Sequence, residues 1–215
     1  GSSSFGGVGY RNNQQAQARK ARSNRGTIDP PQYNVQAVMS RRLRFIDTFG
    51  GTAHVKISSD DIFAALGFMA YDATTGYCIT ESFRIKSIEM WSAPKSDSDG
   101  AWNSMSLDWH NSTSFASGIK VTDTSISNAR PAHLKSKPPK FSVCDFWVQK
   151  KGVELFTIDC LVGTLIDVVV DFVITNENCI TVPYSFLLTP GKFYYSSLDG
   201  VTGSNGLKAV QLYGT

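Results

Sequence analysis

The stretch "IDVVVDFVIT", from Ile166 to Thr175, decides the fold. Apolar residues occupy every second position from Ile166 to Ile174, so they would share one face of an extended strand. The other face places Asp167 and Asp171 among valines and is only partly polar. We therefore predict a strand that is covered on both sides or that lies against a neighbouring strand.

Other runs rich in β-branched and aromatic residues predict further strands. In "RRLRFIDT", which starts at Arg41, Leu43 and Phe45 would face a core while Arg42 and Arg44 face away. The loops are uneven in length and no strand–helix alternation is visible, which favours a two-sheet antiparallel sandwich or a jelly roll of about eight strands. The remaining predicted strands are Thr52 to Ser58, Ser82 to Ser92, Ser104 to His110, Glu154 to Leu161, Ile180 to Pro183, Phe193 to Ser197 and Leu207 to Tyr213.

One short helix is predicted in "SSDDIFAALG". Ser58 or Ser59 would cap its first turn, where Asp60 and Asp61 complement the helix dipole, and Gly67 would end it. Adjacent helical residues point about 100° apart. The two aspartates are therefore interpreted as helix-end electrostatics and not as a catalytic pair.

Positive charge is concentrated before the predicted sandwich. Through Arg44 the chain has eight Lys or Arg residues against one acid, and from there to Thr215 it has thirteen against seventeen. The chain is accordingly divided into a basic, extended N-terminal arm (1–40) and a globular domain (41–215). The arm is too poor in apolar residues to fold alone, so it is either a solvated, disordered tail, which could serve as a nuclear-import signal, or an arm ordered by a polyanion.

Single-stranded nucleic acid is the predicted polyanion. Lysine and arginine that displace counterions from phosphate would make the binding salt-dependent. A membrane is not expected as the partner, because the arm lacks the apolar face of an interfacial helix and no run is long enough to span a bilayer. The candidate nucleic-acid-binding residues are Arg11, Arg19, Lys20, Arg22, Arg25, Arg41, Arg42 and Arg44.

The sequence offers little sign of catalysis, and we expect neither an enzyme nor a cofactor nor a metal site. His54, His110 and His133 lack metal-ligand spacing, and no nucleophile elbow, zinc-protease motif or phosphate loop occurs. Asp97 and Asp99 lie in an oxygen-rich loop that fails the calcium-loop pattern. The cysteines Cys78, Cys144, Cys160 and Cys179 have no paired spacing, which favours a reduced protein made inside a cell.

Four segments in order, "FRIKSIEMWSAP", "SMSLDWHNS", "VTDTSISNARPAHLKSKPPKFSVCDFW" and "ELFTIDCLVGTLIDVVVDFVIT", resemble the single jelly-roll coat proteins of small icosahedral viruses. Those coat proteins have the tombusvirus-like shell domain, which satellite viruses, many RNA viruses and some circular single-stranded DNA viruses share. The resemblance covers roughly Arg41 to Thr175. Its most specific parts are Asp123 to Trp147 and Gly163 to Ile174.

The resemblance implies an all-β fold, an eight-stranded antiparallel jelly roll with one or two short helices. It further implies a non-enzymatic coat protein: many copies would form an icosahedral shell, and the basic arms would neutralise the genome inside it. The expected location is the virion, after synthesis in the host cytoplasm and with entry into the nucleus left open. The alternative is a solitary β-sandwich binding module, lectin-like or tumour-necrosis-factor-like, with an incidental basic tail.

Overall fold

Strands dominate the fold in the computed structural model, which describes residues 37–48, 54–94, 103–110, 118–125, 130–174, 180–184, 187–200 and 206–210. The predictions for Arg11, Arg19, Lys20, Arg22, Arg25, the Asp97–Asp99 loop and Cys179 lie outside these residues. The described elements are β1 (Val38–Asp47), β2 (Val55–Ser58), α1 (Ser59–Leu66), β3 (Phe68–Ala70), β4 (Thr75–Cys78), β5 (Thr80–Trp91), β6 (Ser104–Trp109), β7 (Ile119–Thr124), β8 (His133–Ser136), a 3-10 turn (Val143–Asp145), β9 (Glu154–Asp159), β10 (Leu165–Ile174), β11 (Thr181–Pro183), β12 (Phe193–Tyr194) and β13 (Leu207–Ala209).

The strand that decided the fold, β10, lies in the middle of a five-stranded sheet with the order β13-β1-β10-β5-β8. It pairs antiparallel with β1 along one side and with β5 along the other. Ile166, Val168 and Val170 are fully buried. Asp167 and Asp171 are buried on the opposite face, as expected for a strand that has neighbours on both sides.

Eight strands form nested antiparallel pairs: β1 with β10, β2 with β9, β5 with β8 and β6 with β7. The first and third pairs lie in the five-stranded sheet, and the other two form an opposite sheet with the order β2-β9-β6-β7. This strand connectivity is that of a jelly roll, in which a long hairpin folds so that its paired strands surround a common core. The all-β sandwich prediction is confirmed.

The core lies between these two sheets. Phe45 and Phe83 from the five-stranded sheet and Trp109 and Phe156 from the opposite sheet are all almost completely buried. Trp109 and Phe156 meet edge to face with ring centroids 5.6 Å apart. On β1, Leu43 and Phe45 are buried as the alternation predicts, but the strand begins three residues before its predicted start at Arg41.

The predicted helix is confirmed as α1, which covers one end of the core. Ser58 precedes it, and the Asp61 carboxylate accepts hydrogen bonds from the Ser58 backbone N–H at 2.9 Å and from Ser58 Oγ at 2.7 Å. Gly67 follows it with a φ of 122°, a conformation that favours glycine. The aspartate pair thus belongs to the helix start, as interpreted from the sequence.

A third sheet with the order β11-β4-β3-β12 was not predicted as a unit, and we name it the small sheet. The sequence pattern missed β3, β4, β7 and β8. The first two are only three and four residues long. The strand β7 is an edge strand whose side chains are exposed or half-buried, so it lacks the apolar alternation that marks a half-buried strand.

Candidate nucleic-acid interface

The side of the five-stranded sheet that points away from the core, here called the outer face, carries a series of contacts between acidic and basic side chains. Three acidic residues on this face each contact two basic residues of a neighbouring strand. The acids are Asp167, Asp171 and Glu89, and the bases are Arg42, Arg44, Arg84, Lys86, His133 and Lys135.

Asp167 is the most deeply buried of these acids. Its carboxylate accepts two hydrogen bonds from Arg44, from Nε at 2.7 Å and from Nη2 at 2.8 Å, and Arg42 Nη1 lies 3.5 Å away. The strand register produces this contact, because Arg44 stands directly opposite Asp167 in the β1–β10 pair. The hydrogen bond with Asp167, followed by its charge, raises the pKa of Arg44. Arg44 is therefore permanently charged and held in one orientation.

Asp171 repeats the arrangement four residues further along β10, on the same face of the strand. Arg84 Nη2 donates to its carboxylate at 3.0 Å, and Lys86 Nζ lies 3.4 Å away. Burial acts to raise the pKa of Asp171, but hydrogen bonds from Arg84, Ser40 and Lys86 outweigh it, so the pKa is lowered. Lys86 occupies an irregularity in the β5–β10 register, and such a bulge lets neighbouring residues point to the same side of a sheet.

Glu89 is the third acid. His133 Nε2 lies 2.9 Å from one carboxylate oxygen and Lys135 Nζ 3.1 Å from the other. Burial acts to raise the pKa of Glu89, and the hydrogen bonds from His133 and Lys135 reverse the effect and lower it. The carboxylate is therefore ionised at neutral pH.

The depth of the charges differs by sign. The side chains of Asp167, Asp171 and Glu89 are 0, 9 and 15% exposed, whereas those of the surrounding bases are 35 to 57% exposed. Solvent and any large ligand therefore meet arginine and lysine first. Five permanently charged bases against three acids also leave a surplus of two positive charges. This face presents a positive surface to polyanions.

Two tryptophans lie beside the bases of the outer face. Arg44 Cζ is 5.8 Å from the Trp91 ring centroid, and the His133 ring stacks on Trp91 at 5.5 Å with an interplanar angle of 14°. Arg84 Cζ is 5.5 Å from the centroid of Trp147. Cations beside aromatic rings are the combination that nucleic-acid-binding surfaces use for phosphates and bases.

The structure divides the described candidates from the sequence. Arg42 and Arg44 lie together on the outer face, but Arg44 is bonded to a buried carboxylate. Arg41 points to the other side of β1, where its Cζ is 5.4 Å from the Tyr195 ring centroid. Arg41 therefore does not join the other two arginines. The five arm residues lie outside the described part of the chain.

Sequence reasoning missed Arg84, Lys86 and Lys135 as members of this surface. The alternation in "SFRIKSIEMW" does place Arg84 away from Phe83 and Ile85, so one signal was available. The pairing of Arg84 with Asp171 depends on the β5–β10 register, which no local pattern specifies.

The other two histidines lie next to strands of the opposite sheet, His54 before β2 and His110 after β6, and both contact acids. His54 Nδ1 contacts Asp159, and His110 Nδ1 lies 3.4 Å from Glu154. Within the described ranges no group of three or more His, Cys, Asp or Glu side chains is arranged to hold a metal ion. Over the same ranges, none of the helices has the length and apolar character needed to cross a bilayer.

Comparison with known proteins adds little. No protein-family model and no curated protein matches the chain. Among solved structures, the virus-like particle of the extra small virus of the giant freshwater prawn Macrobrachium rosenbergii matches 70% of this chain and 86% of its own chain, with 13% sequence identity and a TM-score of 0.39. A likeness at that TM-score carries no argument about this chain.

Proposed function

We propose that this protein is a coat protein whose copies assemble into a small icosahedral shell around a single-stranded nucleic acid genome. The observation that carries the proposal is the outer face, where acids are buried beneath exposed arginines and lysines. The described chain begins at Ala37 and enters this sheet directly through β1, so the basic segment before it is joined to the cationic sheet. Segment and sheet together would neutralise phosphates.

Self-association is supported by an apolar surface on the small sheet. Met69 and Phe193 pair across β3 and β12, Phe193 meets Tyr195 with ring centroids 5.4 Å apart, and Tyr71 meets Tyr77 at 5.0 Å. Leu187 nearby is 91% exposed. Because an aromatic side chain contributes about 150–250 Å², these residues offer on the order of 500 Å² of apolar surface. A stable interface buries about 800 Å² per partner, so this surface would supply much of one.

The proposal includes a structural, non-catalytic role and a location in the virion. A second copy is the preferred occupant of the apolar surface because a closed shell requires each subunit to present several patches to identical neighbours. Many copies would also gather their basic segments in one cavity, where contacts that are modest per chain add up to strong retention of nucleic acid.

The test is size-exclusion chromatography of the purified full chain with absorbance at 260 and 280 nm, followed by electron microscopy. We expect a megadalton peak that contains nucleic acid and closed particles. A small oligomer free of nucleic acid at all salt concentrations would refute the proposal and favour a solitary β-sandwich module. Removal of the residues before Asn34 should leave particles that contain little nucleic acid, and unchanged content would show that the arm does not package it.

A point variant separates assembly from folding. Leu187→Asp places a charge on the apolar surface at a side chain that is almost fully exposed, so the subunit should fold normally and fail to assemble. Val162→Asp is the matched control, since Val162 is exposed outside this surface. Normal particles from the Leu187 variant would exclude the small sheet as a contact between copies.

A further inference from the structure

The chain between β8 and β9 exposes three aromatic rings, and we name residues 137–151 the aromatic loop. Phe141, Phe146 and Trp147 are 67, 56 and 37% exposed. Single exposed apolar residues are common on protein surfaces, but three large rings within seven residues are not explained by that background. Neither the outer face nor the apolar surface of the small sheet includes Phe141 or Phe146.

The backbone of the aromatic loop is held firmly. Cys144 is fully buried in its centre, with its thiol 3.3 Å from the Leu155 carbonyl oxygen. The Phe141 N–H donates to the Asp145 carboxylate at 3.2 Å, and the Ser142 N–H donates to the Pro139 carbonyl at 3.1 Å. Phe83 and Val148 exchange two backbone hydrogen bonds that fix the end of the loop to β5. The backbone that carries the three rings is therefore anchored to the core and to β5.

Phe141 adopts an unusual conformation for its type. Its φ is +66°, and it is the only non-glycine residue with a positive φ in the described part of the chain. Bulky residues rarely adopt this conformation, and the places where they do cluster at functional sites. Burial of the ring does not account for it, because Phe141 is the most exposed of the three aromatics.

Basic residues surround these rings. From Lys135 to Lys151 the sequence has five lysines against one acid, Asp145, whose carboxylate already accepts the Phe141 N–H. Within the described residues no carboxylate forms a salt bridge with Lys137, Lys140 or Lys150. Phe146, Trp147 and Lys150, together with Glu154, line an open pocket of about 700 Å³. The ligand that suits this surface is a polyanion with flat apolar groups.

We propose that the aromatic loop stacks unpaired bases of a single-stranded nucleic acid while its lysines contact the phosphates. That the ligand is a nucleic acid rests on the proposed function. The exposed rings require a single strand, because a duplex does not offer its base faces to side chains. Arg84, which lies against Trp147 and binds Asp171, connects the loop to the outer face. Exposed rings also suit a contact with another protein, where aromatic residues are enriched, but the lysines of the loop favour a polyanion, since lysine is depleted in the cores of protein interfaces.

The experiment uses the full chain and two labelled probes of equal length, a 20-nucleotide single-stranded polyuridine and a 20-base-pair RNA duplex, titrated at several salt concentrations. The test variant is Phe141→Gly with Phe146→Ala, which removes two exposed rings and also suits the backbone at position 141. Each lost stack should weaken binding about 5- to 150-fold. With two rings removed we therefore expect at least about 25-fold weaker binding of polyuridine, with the duplex affinity and the salt slope unchanged.

Two control variants complete the design. Lys140→Gln with Lys150→Gln removes charge and no ring, so it should lower the salt slope for polyuridine by about 1.4. Val162→Ala removes an exposed apolar side chain outside the aromatic loop and outside the apolar surface of the small sheet, so it should change nothing in either titration.

The possible results separate the inference from the proposed function. If the wild type binds polyuridine and the double aromatic variant binds it equally well, the stacking site is refuted and the proposed function stands. Equal losses of affinity for polyuridine and for the duplex also refute the stacking site. A double aromatic variant that binds polyuridine normally and fails only to assemble would assign the loop to a contact between proteins. If the wild type binds neither probe, the proposed function itself fails.

Discussion

Val170→Asp tests the sheet that supports both proposals. Val170 lies fully buried in the middle of β10, opposite Arg41 on β1 and Ile85 on β5. The substitution loses about 2 kcal/mol of apolar burial. It also places a carboxyl group without a partner in the core, which costs about 3 kcal/mol or more. The total is comparable to the whole stability of an ordinary domain, about 5–15 kcal/mol, so we expect little or no soluble folded protein.

The adjacent residue provides the matched control. Val169 is half-buried on the outer face, opposite Arg42 in the β1–β10 pair. In Val169→Asp the new carboxylate lies beside the exposed guanidinium of Arg42. This contact offsets the repulsion from Asp167 and Asp171, which lie on the same face of β10. The change in stability should stay below about 1 kcal/mol.

The assay for this pair is the soluble fraction, the far-ultraviolet circular dichroism and the urea midpoint of each variant. With a slope of about 1–3 kcal/mol per molar urea, the Val169 variant should move the midpoint by less than about 1 M. A Val170 variant that is soluble and unfolds at the same urea concentration as the Val169 variant would show that the faces of β10 are assigned wrongly.

Three further predictions concern single groups. Asp167→Asn should cost about 2 kcal/mol in urea unfolding, less than a fully buried pair, because Arg44 is partly exposed. The folded protein lowers the pKa of Asp171, so the stabilisation from its carboxylate is present above the ordinary pKa of 3.8 and is lost as the pH falls through the lowered pKa. In Asp171→Asn the free energy of unfolding should therefore depend less steeply on pH in acid. Burial raises the pKa of Cys144 and of Cys160 to about 12, and both thiols should resist a disulfide reagent at pH 8 until the protein unfolds.

The sequence predicts the parts of the fold that one strand or helix determines by itself. The alternation in β10 and in the second half of β1 follows from which side chains meet the core. Ser58, Asp61 and Gly67 mark the helix because capping is a local property of a few residues. These elements could therefore be assigned without knowledge of their neighbours in space.

The candidate site could not be predicted to the same extent, because it depends on pairing between distant residues. Asp167 and Arg44 are separated by 123 positions, and only the β1–β10 register brings them together. Arg41, Arg42 and Arg44 look alike in the sequence, yet the alternation of the strand sends Arg41 to the other side. The aromatic loop was visible only as part of a family resemblance, since ring exposure is a tertiary property.

Net charge alone gives the wrong expectation for the globular part of the chain. Residues 41–215 have sixteen bases against seventeen acids, a balance that gives no sign of a surface for nucleic acid. On the outer face, however, the acids lie beneath the sheet surface and hold the bases outward. A phosphate at this face meets the exposed bases before the buried acids, and the five permanently charged bases outnumber the three acids, so the surplus positive charge sets the sign of the local potential. In the proposed function Asp167 supports Arg44 in a phosphate-binding surface, and a slightly negative total charge is compatible with a locally basic face.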